Sequence, residues 1–124
     1  GLTGKGIRVA VIDTGVYYNH PALGGGFGMG YKVEYGYDLV GDNFTTAGSP
    51  TYPDDDPIDN CSDGSHGTHV TGIIIANTTG ITDPKFKSPI DFTGSAPGVT
   101  IGAYRVFGCK GSTGDDIVAA AIRM

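Results

Sequence analysis

The sequence has no long apolar run and few basic residues, and both shortages exclude classes of protein. Its longest apolar stretch, Ile117–Ile122, is far shorter than the roughly 20 residues that a membrane-spanning helix requires. Eight Lys and Arg residues stand against 13 Asp and Glu residues, which gives a net charge of −5 at pH 7. Nucleic-acid binding requires a basic surface. We therefore expect neither a membrane nor a nucleic acid among the partners of this protein.

Cysteine is scarce as well, and only Cys61 and Cys109 are present. In a cytosolic enzyme, two cysteines are usually plain buried thiols. The chain also contains N-x-S/T sequons, which favour a secreted protein. These sequons lie at Asn43, Asn60 and Asn77. No signal-peptide pattern accompanies them, but a start at Gly1 without an initiator Met is consistent with a processed protein.

The apolar residues form short runs that recur along the chain. They make up 39% of the 124 residues, which is enough for one globular domain. Strands are predicted over Ile7–Ile12, Tyr31–Val40 and Thr100–Phe107. The unbroken apolar run Val9–Ile12 is typical of a strand that is buried on both faces of a parallel sheet.

A first helix is predicted to begin at His66. Ser65, directly before it, is a favourable N-cap type. Helical spacing places Val70, Ile73 and Ile74 on the same face as His66.

A second helix is predicted from Asp115 to Met124, with Thr113 as its N-cap. Strands that alternate with helices predict an α/β fold in which a parallel sheet is flanked by helices.

Asp13 directly follows the first strand, at the position where α/β proteins place their functional sites. The alternative is a structural carboxylate that holds the turn at Thr14 and Gly15. The local sequence favours neither interpretation.

Two histidines lie three residues apart at the start of the first helix, His66 and His69. Zinc motifs on helices place two histidines four residues apart with a Glu between them, so this spacing does not predict a metal site. We expect His69 to be a packed, hydrogen-bonded structural residue. His20 precedes Pro21 and is predicted to belong to a turn.

Four motifs together resemble those of the subtilase (subtilisin-like) family of serine proteases in their order and spacing. They are Gly4–Val16 (GKGIRVAVIDTGV), His20-Pro21, Gly64–Gly72 (GSHGTHVTG) and Gly94–Gly98 (GSAPG). The resemblance covers essentially the whole chain. It implies that residues 1–124 are the N-terminal portion of a subtilase catalytic domain, with an incomplete three-layer α/β/α fold.

By this resemblance, Asp13 is the acid and His66 the base of an Asp-His-Ser triad. The family places its serine nucleophile in a Gly-Thr-Ser-Met-type turn, and no such segment occurs among the 124 residues. We expect this chain alone to be inactive and its partners to be a peptide substrate and the part of the catalytic domain that carries the serine. The chemistry requires no cofactor.

The resemblance also implies a substrate-binding loop after the third strand. In the family, the matching loop pairs with an extended peptide, in the manner of an added β-strand. The residues carried over are Gly108, Gly111, Ser112 and Gly114. An ordinary glycine-rich turn is the alternative.

Because the family fold brings the segment before His66 near this loop, the resemblance implies a Cys61–Cys109 disulfide. Such a bond would stabilise the chain by roughly 4 kcal/mol in the chain-entropy model. Two free thiols are the alternative.

An acidic stretch before His66 offers oxygen ligands of the kind that calcium prefers. Its candidate ligands are Asp54, Asp56, Asp59 and Asp63. Some heat-stable subtilases bind calcium at this point, whereas a solvated acidic loop is the alternative. The family's usual tight calcium site uses an Asp directly after His-Pro, and here that residue is Ala22, so we do not expect that site.

Two functions follow from the sequence. The first is a secreted serine endopeptidase of which this chain supplies the acid and the base. The second is a catalytically silent module that binds other proteins through an open sheet edge and exposed helix faces.

Overall fold

A three-stranded parallel sheet forms the centre of the computed structural model, which describes residues 2–124. Strand β1 comprises Arg8–Asp13, β2 comprises Val33–Asp38 and β3 comprises Thr100–Arg105. Their spatial order is β1-β3-β2, so β3 lies in the middle. At one edge of the sheet, the last residues of β1 and β2 both pair with Arg105. The predicted α/β fold with a parallel sheet is confirmed.

Burial differs sharply between the strands. In β3, Ile101 and Ala103 are fully buried, as expected for a strand with a neighbour on each side. In β1 only Val11 is buried. The prediction that Val9–Ile12 is covered on both faces is therefore wrong for residues 2–124, in which β1 is an edge strand.

Helix α1 comprises His66–Ile75 and contacts β1. Its buried residues are Gly67, Thr71 and Ile75, so the core-facing stripe is displaced by one residue from the predicted face. Of the predicted set, Val70 and Ile74 are partly buried against the core, while His66 and Ile73 are exposed. Small residues at the first two buried positions allow the helix to approach the sheet closely.

Both ends of α1 are completed by residues from distant parts of the chain. Ser65 is the N-cap residue, but its side chain makes no capping hydrogen bond within residues 2–124. Gly67 N instead donates to Thr14 Oγ1 at 2.9 Å. At the other end, Lys32 Nζ donates to the carbonyl of Ile75 at 3.2 Å. Burial lowers the pKa of Lys32, and a cation at this end of a helix interacts favourably with its dipole.

Helix α2 comprises Asp115–Ile122, and a single 3₁₀ turn spans Pro21–Leu23. The N-cap of α2 is Gly114, so the prediction of Thr113 at that position is wrong by one residue. In the part of the chain that the structure describes, no helix is both long and apolar enough to cross a bilayer.

Candidate active site

Asp13 and His66 meet at the carboxyl edge of the sheet. Asp13 is the last residue of β1 and His66 the first of α1. His66 Nδ1 lies 2.8 Å from Asp13 Oδ2 and 2.9 Å from Oδ1. Asp13 Oδ1 also accepts a hydrogen bond from Thr14 N at 2.6 Å. The carboxylate therefore holds the following turn and contacts the imidazole at the same time.

The two side chains differ in exposure in a way that suits proton transfer. The side chain of Asp13 is 14% exposed and that of His66 is 73% exposed. Because an ionised carboxylate can only accept hydrogen bonds, contact with Asp13 favours the tautomer with a proton on Nδ1. The other ring nitrogen, Nε2, is then free to take a proton from an alcohol.

The backbones that carry this pair are in direct contact. Gly15 has a φ of +90°, a conformation that favours glycine. Its carbonyl lies so close to Gly67 that a Cβ at residue 67 would collide with it. Tyr17 N donates to Thr68 Oγ1 at 2.8 Å, which adds another link between the turn after β1 and the first turn of α1.

A cleft of about 440 Å³ opens beside His66. One wall includes His66 and His69, and the opposite wall is the segment from Phe107 to Gly111. His69 is exposed, and its side chain has no hydrogen bond among the described residues. The prediction of a packed structural histidine at this position is therefore wrong.

Only two of the four predicted substrate-binding residues line the cleft. Gly108 and Gly111 line the cleft, whereas Gly114 caps α2. Ser112 is not among the residues that line the cleft, and its backbone N–H donates to the Thr45 carbonyl at 2.8 Å. The loop therefore uses part of its own hydrogen-bonding capacity to hold the segment around residue 45.

Cys61 and Cys109 form a disulfide that joins the segment before His66 to the wall of the cleft. Arg105 lies beneath it, with Nη2 3.3 Å from Cys61 Sγ and 3.7 Å from Cys109 Sγ. Arg105 is only 2% exposed. The disulfide thus covers a buried cation at the end of β3.

Two carboxylates form ion pairs with Arg105. Its Nη1 lies 3.2 Å from Oδ2 of the buried Asp38 and also binds the exposed Asp42. Asp38 Oδ1 in turn accepts from Val40 N and Gly41 N. This cluster was not predicted from the sequence, although Asp38 and Arg105 both end strands at the edge that carries Asp13.

The four proposed calcium ligands do not form a ligand set. Among residues 2–124, the acidic oxygens of these residues are not gathered in any group of three within 4.8 Å. Asp56 accepts from the hydroxyl of Tyr18 at 2.6 Å, a bond that contributes with burial to raising the pKa of Tyr18. Asp59 is buried and bound to Thr14, while Asp54 and Asp63 are exposed. The side chains of these four residues do not meet at one point, so calcium binding by this stretch stays a prediction, and we derive no step through a calcium ion.

His20 belongs to a turn, as predicted. It precedes the 3₁₀ turn, and its Nδ1 accepts a hydrogen bond from Ala22 N at 3.0 Å. Its ring contacts that of Phe86 edge-on, with 4.8 Å between the ring centroids. Burial lowers the pKa of His20.

With this geometry, comparison with known proteins identifies the family. A family model described as the subtilase family matches residues 4–124. This chain belongs to the subtilase family.

Named relatives agree with that assignment. The chain is 44% identical over 124 residues to the minor extracellular protease Vpr of Bacillus subtilis (strain 168). This alignment covers 99% of the chain and 13% of Vpr. It is 38% identical over 119 residues to a thermophilic serine proteinase of Bacillus sp. (strain AK1). That alignment covers 95% of the chain and 23% of the proteinase. This subtilase chain therefore spans less than a quarter of either relative.

Solved structures show the same fold. The nisin leader peptidase NisP of Lactococcus lactis superposes with a TM-score of 0.62 at 31% identity, covering 99% of this chain and 29% of that one. Fervidolysin of Fervidobacterium pennivorans, a keratinolytic enzyme, gives a TM-score of 0.60 at 32% identity, covering 98% of this chain and 16% of that one.

Proposed function

We propose that this chain supplies the acid and the base of a serine endopeptidase, with Asp13 and His66 in those roles. The observation that carries the proposal is the contact of 2.8 Å between His66 Nδ1 and Asp13 Oδ2 in a chain of the subtilase family. The serine comes from a segment of the catalytic domain outside residues 1–124. We further propose that residues 1–124 are the N-terminal portion of that domain.

The roles follow from the chemistry of the groups. A serine hydroxyl is a weak nucleophile and must lose its proton as it attacks the peptide carbonyl. Nε2 of His66 takes that proton and later gives it to the leaving amine. Asp13 holds the Nδ1 proton, fixes the orientation of the ring and stabilises the imidazolium that forms.

The substrate is an extended peptide that lies in the cleft beside His66. Cys109 N and Ser112 N donate inward, to the carbonyls of Asp42 and Thr45. These two bonds hold the loop against residues 42–45, while Gly108 and Gly111 line the cleft in which the peptide would lie. Gly108 contributes by its close approach to the Phe44 carbonyl, which supports the loop from behind.

We propose an extracellular location for the enzyme. The disulfide is of a kind that persists in oxidising compartments. The relative Vpr is named as an extracellular protease.

A covalent probe tests this function. The full-length protein is treated with a fluorophosphonate, which labels an activated serine, and peptide hydrolysis is measured in parallel. Labelling and hydrolysis are expected in the wild type. His66→Ala should abolish the labelling, and Asp13→Asn should lower kcat by roughly four orders of magnitude.

His69→Ala is the matched control, since His69 lines the same cleft and has no contact with Asp13 among the described residues. It should retain labelling. A full-length protein that is folded but neither labelled nor able to hydrolyse peptides would contradict the proposal and favour a silent binding module instead.

A further inference from the structure

Asp59 is a buried carboxylate in a stretch that is otherwise largely exposed. It is 3% exposed, while Asp54, Asp55 and Asp63 are exposed. A carboxylate that is removed from water destabilises the protein unless its oxygens accept hydrogen bonds. Oδ1 of Asp59 accepts from Cys61 N at 3.2 Å, and Oδ2 accepts from Thr14 Oγ1 at 3.0 Å.

The backbone shields this carboxylate on one side. Gly64 lies so close that a Cβ at residue 64 would collide with both carboxylate oxygens of Asp59. Asp59 N donates to the Val16 carbonyl at 3.2 Å, and Val16 N donates to the Pro57 carbonyl at 3.1 Å. Residues 57–59 are thus paired with the turn that follows Asp13.

Thr14 connects Asp59 to the first turn of α1, and the direction of each bond is fixed. A carboxylate only accepts and a backbone N–H only donates, so the single hydroxyl proton of Thr14 goes to Asp59. The oxygen of Thr14 is then free to accept from Gly67 N at 2.9 Å. If Asp59 did not take the proton, the hydroxyl could rotate and lose its alignment with Gly67.

This link joins the two backbone segments that carry the acid and the base. Thr14 directly follows Asp13, and Gly67 directly follows His66. The connection from Asp59 through Thr14 to Gly67 therefore fixes the distance between Asp13 and His66 without contacting either side chain. Ser65, the local N-cap, does not supply this bond in the described part of the chain.

We propose that Asp59 is a positioning residue for the Asp13–His66 pair, acting through the hydroxyl of Thr14. The inference rests on the proposed peptidase function, because the value of a fixed pair lies in proton transfer. Small displacements of catalytic groups can lower rates strongly, by up to about a hundredfold for 1 Å. Asp59 therefore supports the catalytic pair.

The test uses four variants of the full-length protein: Thr14→Val, Asp59→Ala, the double variant and Thr14→Ser. Ala removes both acceptor oxygens of Asp59, so we expect Thr14→Val and Asp59→Ala each to lower kcat by about tenfold or more, with KM changed by less than about threefold. The double variant should be no slower than the slower single variant, because both changes remove one link. Thr14→Ser keeps the hydroxyl and should retain most of the activity.

Asp55→Ala is the matched control, since it removes one negative charge from an exposed residue of the same acidic stretch that does not line the cleft. It should leave kcat unchanged. A second readout does not depend on turnover: the low-field NMR signal of the His66 Nδ1 proton, which reports the bond to Asp13. That signal should shift or broaden in Thr14→Val and in Asp59→Ala, but not in Asp55→Ala.

Each outcome decides the matter. Multiplicative losses in the double variant, or an unchanged NMR signal in both single variants, would overturn the proposal. If Asp59→Ala does not fold, Thr14→Val decides, and if neither folds the role is structural and the proposal is wrong. A wild-type protein without peptidase activity would refute the proposed function, whereas the NMR signal would still test the link from Asp59.

Discussion

The segment that enters α1 and the segment that leaves it are both irregular, yet they are held very differently. The entering segment, residues 54–65, contains a buried carboxylate, a disulfide and backbone bonds to the turn after β1. The leaving segment, residues 77–94, is mostly exposed and is held by bonds of Thr78 to Phe92 and by the contact of His20 with Phe86. Fixed geometry is thus concentrated on the side of the helix that carries His66.

This contrast indicates what the entering segment is for. Surface loops tolerate exposure, and the leaving segment is mostly exposed. Under the proposed function the entering segment sets the position of the base, His66, and three links hold this segment in place. If those links carry the difference, their removal should destabilise the protein more than a change in the leaving segment does.

Loss of the buried cation should be the most damaging change to stability. Arg105→Met leaves the buried Asp38 without its charged partner, and we expect the free energy of unfolding to fall by about 4 kcal/mol. Urea denaturation of the full-length protein measures this. Arg123→Met removes an exposed Arg and should change stability by less than about 0.5 kcal/mol. Equal effects of the two substitutions would show that the Arg105 cluster is not a stabilising link.

Loss of the disulfide should have the next largest effect. The double variant Cys61→Ser/Cys109→Ser frees a loop with a sequence separation of 48 residues. We expect a loss of about 3 kcal/mol, below the value of the chain-entropy model, because residual structure in the unfolded chain already restricts this loop. Thermal denaturation with and without dithiothreitol measures it. The wild type should lose stability in the reductant and the double variant should not. If the reductant leaves the wild type unchanged, the bond does not hold the entering segment.

The smallest effect on stability should come from His20, whose ring contacts Phe86 of the leaving segment. Burial lowers the pKa of His20 in the folded protein below its unfolded value of 6.5. The unfolded chain therefore binds the proton more readily, so stability is present above pH 6.5 and declines as the pH falls toward the lowered value.

His20→Asn retains a side-chain oxygen that can accept from Ala22 N but does not titrate in this range. Urea denaturation at about pH 7.5 and about pH 5 should show a smaller loss in the variant than in the wild type. An identical loss in both proteins would exclude His20 as the source.

The sequence predicted the elements of the fold because each carries a local pattern. An unbroken apolar run indicated the first strand, a loose alternation of apolar and polar residues indicated the second, and the alternation of strands with helices indicated the parallel sheet. Asp13 and His66 stood out through their motifs and the resemblance these carry. The burial of β1 on both faces was predicted wrongly, because burial depends on which other segments pack against the strand, and its own sequence does not record them.

Asp59 and Arg105 could not be found in this way. In the sequence Asp59 is one of several acids in a loop, and only its contact with Thr14, 45 residues earlier, separates it from its neighbours. Arg105 was part of a predicted strand, and its charge is balanced by residues 63 and 67 positions away. Burial of a charge is decided by non-local contacts, which local patterns do not record.

The completion of α1 at both ends by distant residues has a consequence for the order of events during synthesis. Thr14 and Lys32 both leave the ribosome before the helix does, so the groups that complete it are already present when residues 66–75 emerge. A ten-residue helix is marginal alone in water. Its formation is therefore coupled to docking on the earlier part of the chain, and a nascent chain that lacked β1 and β2 would leave His66 without an ordered support.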